Sequence, residues 1–273
     1  MKIKAAIIQT NVGPAIEDNL RDVGALIRAA AGEGATFIAT PENTCRMRAK
    51  LEDKLATSYQ EQDHPAIPYY AALAKELSVT LLIGSVSSIR VEGGKLANRS
   101  FLFGKDGNVV ATYDKIHMFD VDLPNGDQYR ESESNRAGTK IVLAEVDGTK
   151  IGMSICYDVR FPALYRTLAQ KGAQILTIPA AFTVPTGQAH WEVLLRARAI
   201  ENGAFVLAPA QVGVHEGGRA TYGHSMIISP WGQILAEIQG DRPGYVCAQL
   251  DMGDVDKARA AIPSLRHDTK MVN

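Results

Sequence analysis

Cys156 stands in the run Gly152-Met153-Ser154-Ile155-Cys156-Tyr157-Asp158-Val159-Arg160-Phe161-Pro162, where an apolar stretch gives way to a thiol and then to a proline-initiated helical pattern. That order predicts a strand-to-helix junction, with the sulfur on a tight turn beside the backbone N–H of Tyr157. A thiol so placed is suited to attack an acyl carbon while the N–H receives the developing oxyanion. A cysteine alone is most often a small buried hydrophobe, so this reading depends on its companions. Glu42 follows the β-branched and aromatic run 36–40 and Pro41, which puts a carboxylate just past a strand end as a candidate base. Lys115 follows a second such run, 109–113, and is a candidate for stabilising negative charge.

The pKa values of the free groups set the problem these residues must solve. A thiol near ~8.5 is only a few per cent thiolate at neutral pH, so Cys156 needs a base or a stabilised anion. A carboxylate near ~4.3 is a weak base for it unless burial and neighbouring charges shift both groups. With Glu42 moving the proton and Lys115 holding the oxyanion, the expected reaction is a two-step hydrolysis through a thioester. It needs neither metal nor organic cofactor.

Strands must bring these residues together. Residues 2–9 read as a buried strand, and Leu20, Val23, Ile27 and Ala30 follow at helical spacing before Gly32 and Gly34. A strand over 35–40, a helix over 65–77 and a strand over 79–86 continue the alternation. Strands 100–103 and 109–113 flank Asp106-Gly107, and 141–146 and 150–155 flank Asp147-Gly148, both hairpin signals. Beyond Cys156 the pattern predicts helices over 162–171 and 188–202, strands over 173–179 and 204–210, and a strand-rich last third. Helices mixed with hairpins imply an α/β chain with mixed sheets. Ligands in such architectures collect at the carboxyl ends of strands, where Glu42, Lys115 and Cys156 all lie. The stretch 120–138, rich in charge, Gly, Pro and Ser, reads as a functional loop over the site.

Pro41-Glu42-Asn43, Tyr113-Asp114-Lys115-Ile116-His117 and the Cys156 block, in that order, resemble the three signature blocks of the nitrilase, or carbon–nitrogen hydrolase, superfamily. Similarity runs on through Pro179-Ala180-Ala181-Phe182-Thr183 and Tyr222-Gly223-His224-Ser225-Met226, and covers the chain from Lys2 to about Asp251. His117-Met118-Phe119-Asp120-Val121-Asp122 and Thr186-Gly187-Gln188-Ala189-His190-Trp191-Glu192 are similar to the branch of deaminated-glutathione amidase and omega-amidase. The resemblance implies a four-layer α-β-β-α sandwich with two mixed six-stranded sheets, pairing into a homodimer or dimer-based oligomer. It also implies that Glu131 orients Lys115 and the leaving nitrogen. Arg160 would grip a substrate carboxylate, Phe182 pack on its carbon chain and Thr186 supply a hydroxyl. The likeness implies that a small carboxylate-bearing amide is hydrolysed to a carboxylic acid and ammonia, the expected substrate being deaminated glutathione, with a 2-oxo acid amide such as 2-oxoglutaramate as the alternative.

With no shift of composition, 273 residues suit a single domain, 1–273. The 29 basic and 30 acidic residues leave a net charge of −1, no footprint for nucleic acid or an anionic membrane, and point to a small-molecule partner. Apolar runs fall far short of the ~20 residues of a bilayer span. Met1-Lys2-Ile3-Lys4 leads into a strand rather than a signal peptide. Cys45, Cys156 and Cys247 form neither a zinc pair nor a disulfide framework and suit a reducing cytoplasm. His117, His190, His215 and His224 lack metal-ligand spacing and read as structural, while Arg46 and Arg48 read as a solvated charged face. Two other classes stay open on the sequence: a non-catalytic scaffold subunit of the same fold, and a metal hydrolase built on the histidines.

Overall fold

The computed structural model describes residues 1–269. The first half contributes strands β1 (Lys2–Gln9), β2 (Phe37–Ala39), β3 (Thr80–Arg90), β4 (Leu96–Phe103), β5 (Val109–Asp114), β6 (Asp120–Asp122) and β7 (Gln128–Arg130). The second contributes β8 (Leu143–Val146), β9 (Thr149–Met153), β10 (Ile175–Thr177), β11 (Phe205–Ala208), β12 (Val212–Val214), β13 (Ala220–Tyr222), β14 (Met226–Ile228), β15 (Ile234–Glu237) and β16 (Gly244–Asp251). The helices are α1 (Ile16–Gly32), α2 (Leu51–Ala56), α3 (Ala66–Leu77), α4 (Glu131–Ser134), α5 (Pro162–Gln170), α6 (Val184–Asn202) and α7 (Gly253–Ala261).

Two six-stranded sheets result, ordered β16-β1-β2-β3-β4-β5 and β15-β14-β11-β10-β9-β8. Each has a parallel centre, β1-β2-β3 and β9-β10-β11, flanked by antiparallel strands, as hairpins mixed with crossovers require. Alternation along β1 separates the layers. Ala6 and Ile8 join the cluster under α1 and α3, with Leu20, Val23, Ile27, Tyr70 and Leu73. Ala5 and Ile7 face the other way, into a cluster shared with Ile151, Met153 and Ile175 of the second sheet and with Leu164, Trp191 and Leu195 of its helices. The fold is therefore the four-layer α-β-β-α sandwich.

Two departures from the sequence reading shape the site. Helix α6 begins at Val184 rather than near 188, because Pro185 fits its first turn, where no N–H is needed. The stretch 120–138 is more regular than a loop: β6 and β7 pair as a hairpin and α4 follows at once. The sheets meet near the site, where Thr10 bridges Gln211 and the Gln211 Nε2 donates to the Glu42 carbonyl at 2.9 Å.

Candidate active site

The chain leaves β9 at Met153 and turns sharply, so that Cys156 has φ of 49°, left-handed backbone that a non-glycine residue adopts only when its surroundings enforce it. The enforcement is visible. Cys156 N–H donates to the Pro179 carbonyl at 2.8 Å, and the fully buried Asp158 accepts from Ile155 N–H at 2.9 Å, closing the turn. Asp158 also accepts from Tyr113 Oη at 2.7 Å and from His117 N–H at 3.0 Å, and pairs with His117 Nδ1 at 2.7 Å. One carboxylate thus ties the elbow to the segment that carries Lys115. The Tyr157 N–H, second in the 3-10 turn Cys156–Arg160, has no backbone acceptor among the described residues.

Glu42, just past β2, and Lys115, just past β5, meet at 2.9 Å, and Lys115 Nζ also reaches Glu131 at 2.8 Å. Both Lys115 and Glu42 are nearly fully buried. Asn98, inside β4, donates through Nδ2 to Glu42 at 2.8 Å and to Glu131 at 3.0 Å, while Ala181 N–H holds the second Glu42 oxygen at 2.9 Å. Glu42 therefore accepts three bonds, which leaves one lone-pair direction for the Cys156 thiol. Lys115 spends two of its three N–H donors on carboxylates, and the third has no partner among the described residues.

Burial alone would raise the Glu42 carboxyl, but the Lys115 ammonium overrides it and holds the group below the ordinary carboxylate range. Burial would lower Lys115, and Glu131 with Glu42 outweighs it, so the amine stays protonated. Burial and then the Glu42 charge push the Cys156 thiol well up, against the opposing pull of Lys115 and the Ala181 N–H. The resting state is a thiol beside a carboxylate.

Glu42, Lys115, Glu131, Cys156, Tyr157, Phe182 and Thr186 all line one cavity of about 560 Å³, roofed by Gln128, Tyr129 and Arg130 of β7. The size lies in the ~300–1,000 Å³ of small-molecule pockets. Arg160 does not line it. Its guanidinium packs 5.3 Å from the Phe182 ring and 5.9 Å from that of Tyr157, with His190 behind, so it props the wall instead of facing a ligand. Arg46 departs from the sequence reading in the opposite sense: it is 4% exposed and lines the cavity, as does Arg48. Asn98, Asp158 and Ala181 escaped sequence reasoning. Only Asp158 carried a signal, an acid two residues after the nucleophile.

The histidines have structural partners: His117 stacks on Phe161 at 3.5 Å beside Asp158, His215 bonds Val12 and Thr221, and His224 pairs with Glu237. Among the described residues no three His, Cys, Asp or Glu side chains gather as a metal-ligand group.

The family model for carbon–nitrogen hydrolases matches residues 4–260. A deaminated glutathione amidase of Synechocystis sp. is 40% identical over 269 residues, 96% of this chain and 97% of that one. The omega-amidase NIT2 of Danio rerio is 33% identical over 280 residues, 100% of this chain and 98% of that one. The crystal structure of the C. elegans NitFhit protein superposes with a TM-score of 0.91 at 33% identity, over 98% of this chain and 65% of that longer chain. With a matching family model, a shared fold and relatives of this identity, the chain belongs to the carbon–nitrogen hydrolase family and is an amidase.

Proposed function

We propose that the protein hydrolyses a carboxylate-bearing amide through an acyl-enzyme on Cys156, and that deaminated glutathione is its substrate. The observation that carries the mechanism is the buried contact of Glu42 with Lys115 on the wall that holds Cys156. Glu42 takes the thiol proton as sulfur attacks the amide carbon. The oxyanion is received by the free Lys115 N–H and the Tyr157 N–H, each contributing roughly 3 to 4 kcal/mol. Glu42 returns the proton to the leaving nitrogen, the carbon–nitrogen bond breaks, and a thioester remains. Water deprotonated by Glu42 then releases the acid and regenerates the thiol. Glu131 keeps Lys115 charged and aimed. Phe182 and Thr186 flank the acyl chain, with Arg160 stiffening the Phe182 ring.

The substrate rests on the Synechocystis relative's name and on a cavity roomier than a five-carbon acid amide needs. It also revises the nitrogen product. Deaminated glutathione carries its scissile nitrogen on cysteinylglycine, so an amine leaves, and ammonia is the product only for primary amides. The exposed Val193 and Ile200 lie seven residues apart on one face of α6, with Ile200 against Gly232, next to the exposed Trp231, and support pairing of two copies. Three free cysteines support a reducing, cytoplasmic setting. No helix among the described residues is long and apolar enough to cross a membrane.

The test is release of 2-oxo acid from deaminated glutathione and from 2-oxoglutaramate, with wild type and Cys156→Ala. Deaminated glutathione should give the higher kcat/KM, and Cys156→Ala should lose on the order of 10⁴-fold or more. Wild-type turnover by Cys156→Ala would remove the acyl-enzyme; a preference for 2-oxoglutaramate would transfer the substrate assignment.

A further inference from the structure

The cavity carries more positive charge than the cluster around Cys156 uses. Six cations and four carboxylates line it. Lys115 is matched by Glu42 and Glu131, and Arg130 is tied to Asp122 and to the Val121 and Tyr129 carbonyls. Among the described residues Arg46, Arg219 and Lys54 have no carboxylate partner, and Arg48 has only a long ion pair with Glu216. Arg46 is 4% exposed and donates to the Thr57 carbonyl at 2.6 Å, yet its Nε is buried without an acceptor among the described residues. Arg219 donates to the Ala181 carbonyl at 2.9 Å and lies 5.4 Å from the Tyr129 ring, and its Nε is orphaned likewise. Arg48 has only Glu216 at 3.7 Å, beyond hydrogen-bond reach, and supplies a third orphaned Nε. Burial and then Arg219 lower the pKa of Lys54 in the same wall.

The three Nε atoms are themselves closed to solvent, so a ligand would meet the outer guanidinium nitrogens; what calls for an anion is the charge, three guanidiniums and an ammonium in one cavity wall against only Glu133 and Glu216. Arg's planar fork matches a carboxylate. The side of the scissile bond follows from connectivity. Arg46 lies four residues beyond Glu42, and Arg219 is anchored on Ala181, whose N–H holds Glu42. In the proposed reaction Glu42 protonates the leaving nitrogen, and the link of these cations to Glu42 is the ground for assigning them to the leaving-group side.

We propose that Arg46, Arg48 and Arg219, with Lys54, form a carboxylate subsite for the leaving group, so that the preferred substrates are amides whose departing amine carries a terminal carboxylate. The assignment rests on the amidase reading and narrows it, since primary amides have nothing to place there.

The experiment uses a shape-matched pair, deaminated glutathione and the same compound with its C-terminal carboxylate converted to a primary amide. In wild type, kcat/KM should fall by about tenfold or more for the amidated compound, which keeps only its 2-oxo acid carboxylate, and Arg46→Gln and Arg48→Gln should bring the ratio close to one. Arg48 is a quarter exposed, so its variant tolerates the change if Arg46→Gln misfolds, and Arg48→Lys should restore part of the ratio. A wild-type ratio near one, or an undiminished ratio in Arg48→Gln, overturns the subsite while leaving the amidase standing. If neither compound turns over, the readout is alkylation of Cys156, located by mass spectrometry, with N-(2-carboxyethyl)maleimide and its uncharged amide. Faster labelling by the anion, lost in the Gln variants, upholds the subsite without any hydrolysis; equal rates in wild type overturn it.

Discussion

In the proposed reaction the proton that Cys156 gives up stays inside the buried cluster. A thiol beside a carboxylate becomes a thiolate beside a carboxylic acid, so no net charge is created at a site that excludes water, and Lys115, bonded to Glu42 at 2.9 Å, changes partner in place. The pH dependence follows from the directions of the shifts. Glu42 must be ionised, and its pKa lies below the ordinary ~4.3, so the acid limb of kcat/KM falls below that pH. The thiol is held up by burial and by Glu42, so no alkaline rise appears near the ~8.5 of a free cysteine. The expected profile is flat from about pH 5 to 8.5. A tenfold-per-unit rise across neutrality would mean that the thiolate forms before substrate arrives. Glu42, Lys115 and Cys156 were legible because each stands at the end of an apolar run, a position a sequence displays. Asn98 was not, since a polar residue inside β4 looks like any other until its amide is found between two carboxylates. Arg46 was misread for a related reason: local charge density does not reveal that Ser87, forty-one residues away, bonds its carbonyl and folds the segment inward.

Helix α3 shows what a buried histidine costs. His64 is fully buried ahead of its first turn, its Nδ1 accepts from Ala66 N–H at 3.2 Å, and its Nε2 therefore carries the hydrogen and donates to the Ser87 carbonyl at 3.1 Å. Burial is the main cause that pushes its pKa down to about 4. A positive charge there would also oppose the helix dipole and remove the acceptor of the Ala66 N–H. The folded pKa lies below the unfolded ~6.5, so the unfolded chain binds the proton more readily. The contribution is complete above ~6.5 and is lost as pH falls from there toward about 4, amounting to about 3 kcal/mol. Urea midpoints at pH 7.5 and 5 should therefore drop more steeply in wild type than in His64→Gln. Equal slopes would show that the ring is protonated in the native state. Amphipathic α1 and α3 and the Asp-Gly hairpins were readable because period and turn chemistry are local. Short α2 and α4 were not, since neither has an apolar stripe and both are held by the cavity wall that they help to build.

Neither sheet can form the site alone: Glu42 and Lys115 follow strands of the first, Cys156 and Ala181 strands of the second. Gly84, in β3, sits where the two meet. A Cβ built there would lie 2.1 Å from the Thr40 carbonyl oxygen, 2.5 Å from that of Pro41 and 2.4 Å from Pro179 Cβ. Thr40 and Pro41 lead directly into Glu42, and the Pro179 carbonyl is the acceptor that holds Cys156 N–H. All three neighbours are backbone or ring atoms that cannot swing aside, so one methyl must push the carboxylate and the thiol apart. Overpacking of this kind costs about 1–3 kcal/mol. A displacement approaching 1 Å costs catalysis about a hundredfold. Gly84→Ala should accordingly lower kcat far more than its loss of stability implies, with folded protein still present by circular dichroism at the assay temperature. Gly32, at the end of α1 with nothing near its Cβ direction, provides the comparison: Gly32→Ala should leave kcat unchanged and raise stability by a few tenths to about 1 kcal/mol. If Gly84→Ala instead turned over substrate at the wild-type rate, the distance between Glu42 and Cys156 would not be what the junction of the two sheets controls, and the pairing of halves would matter to folding alone.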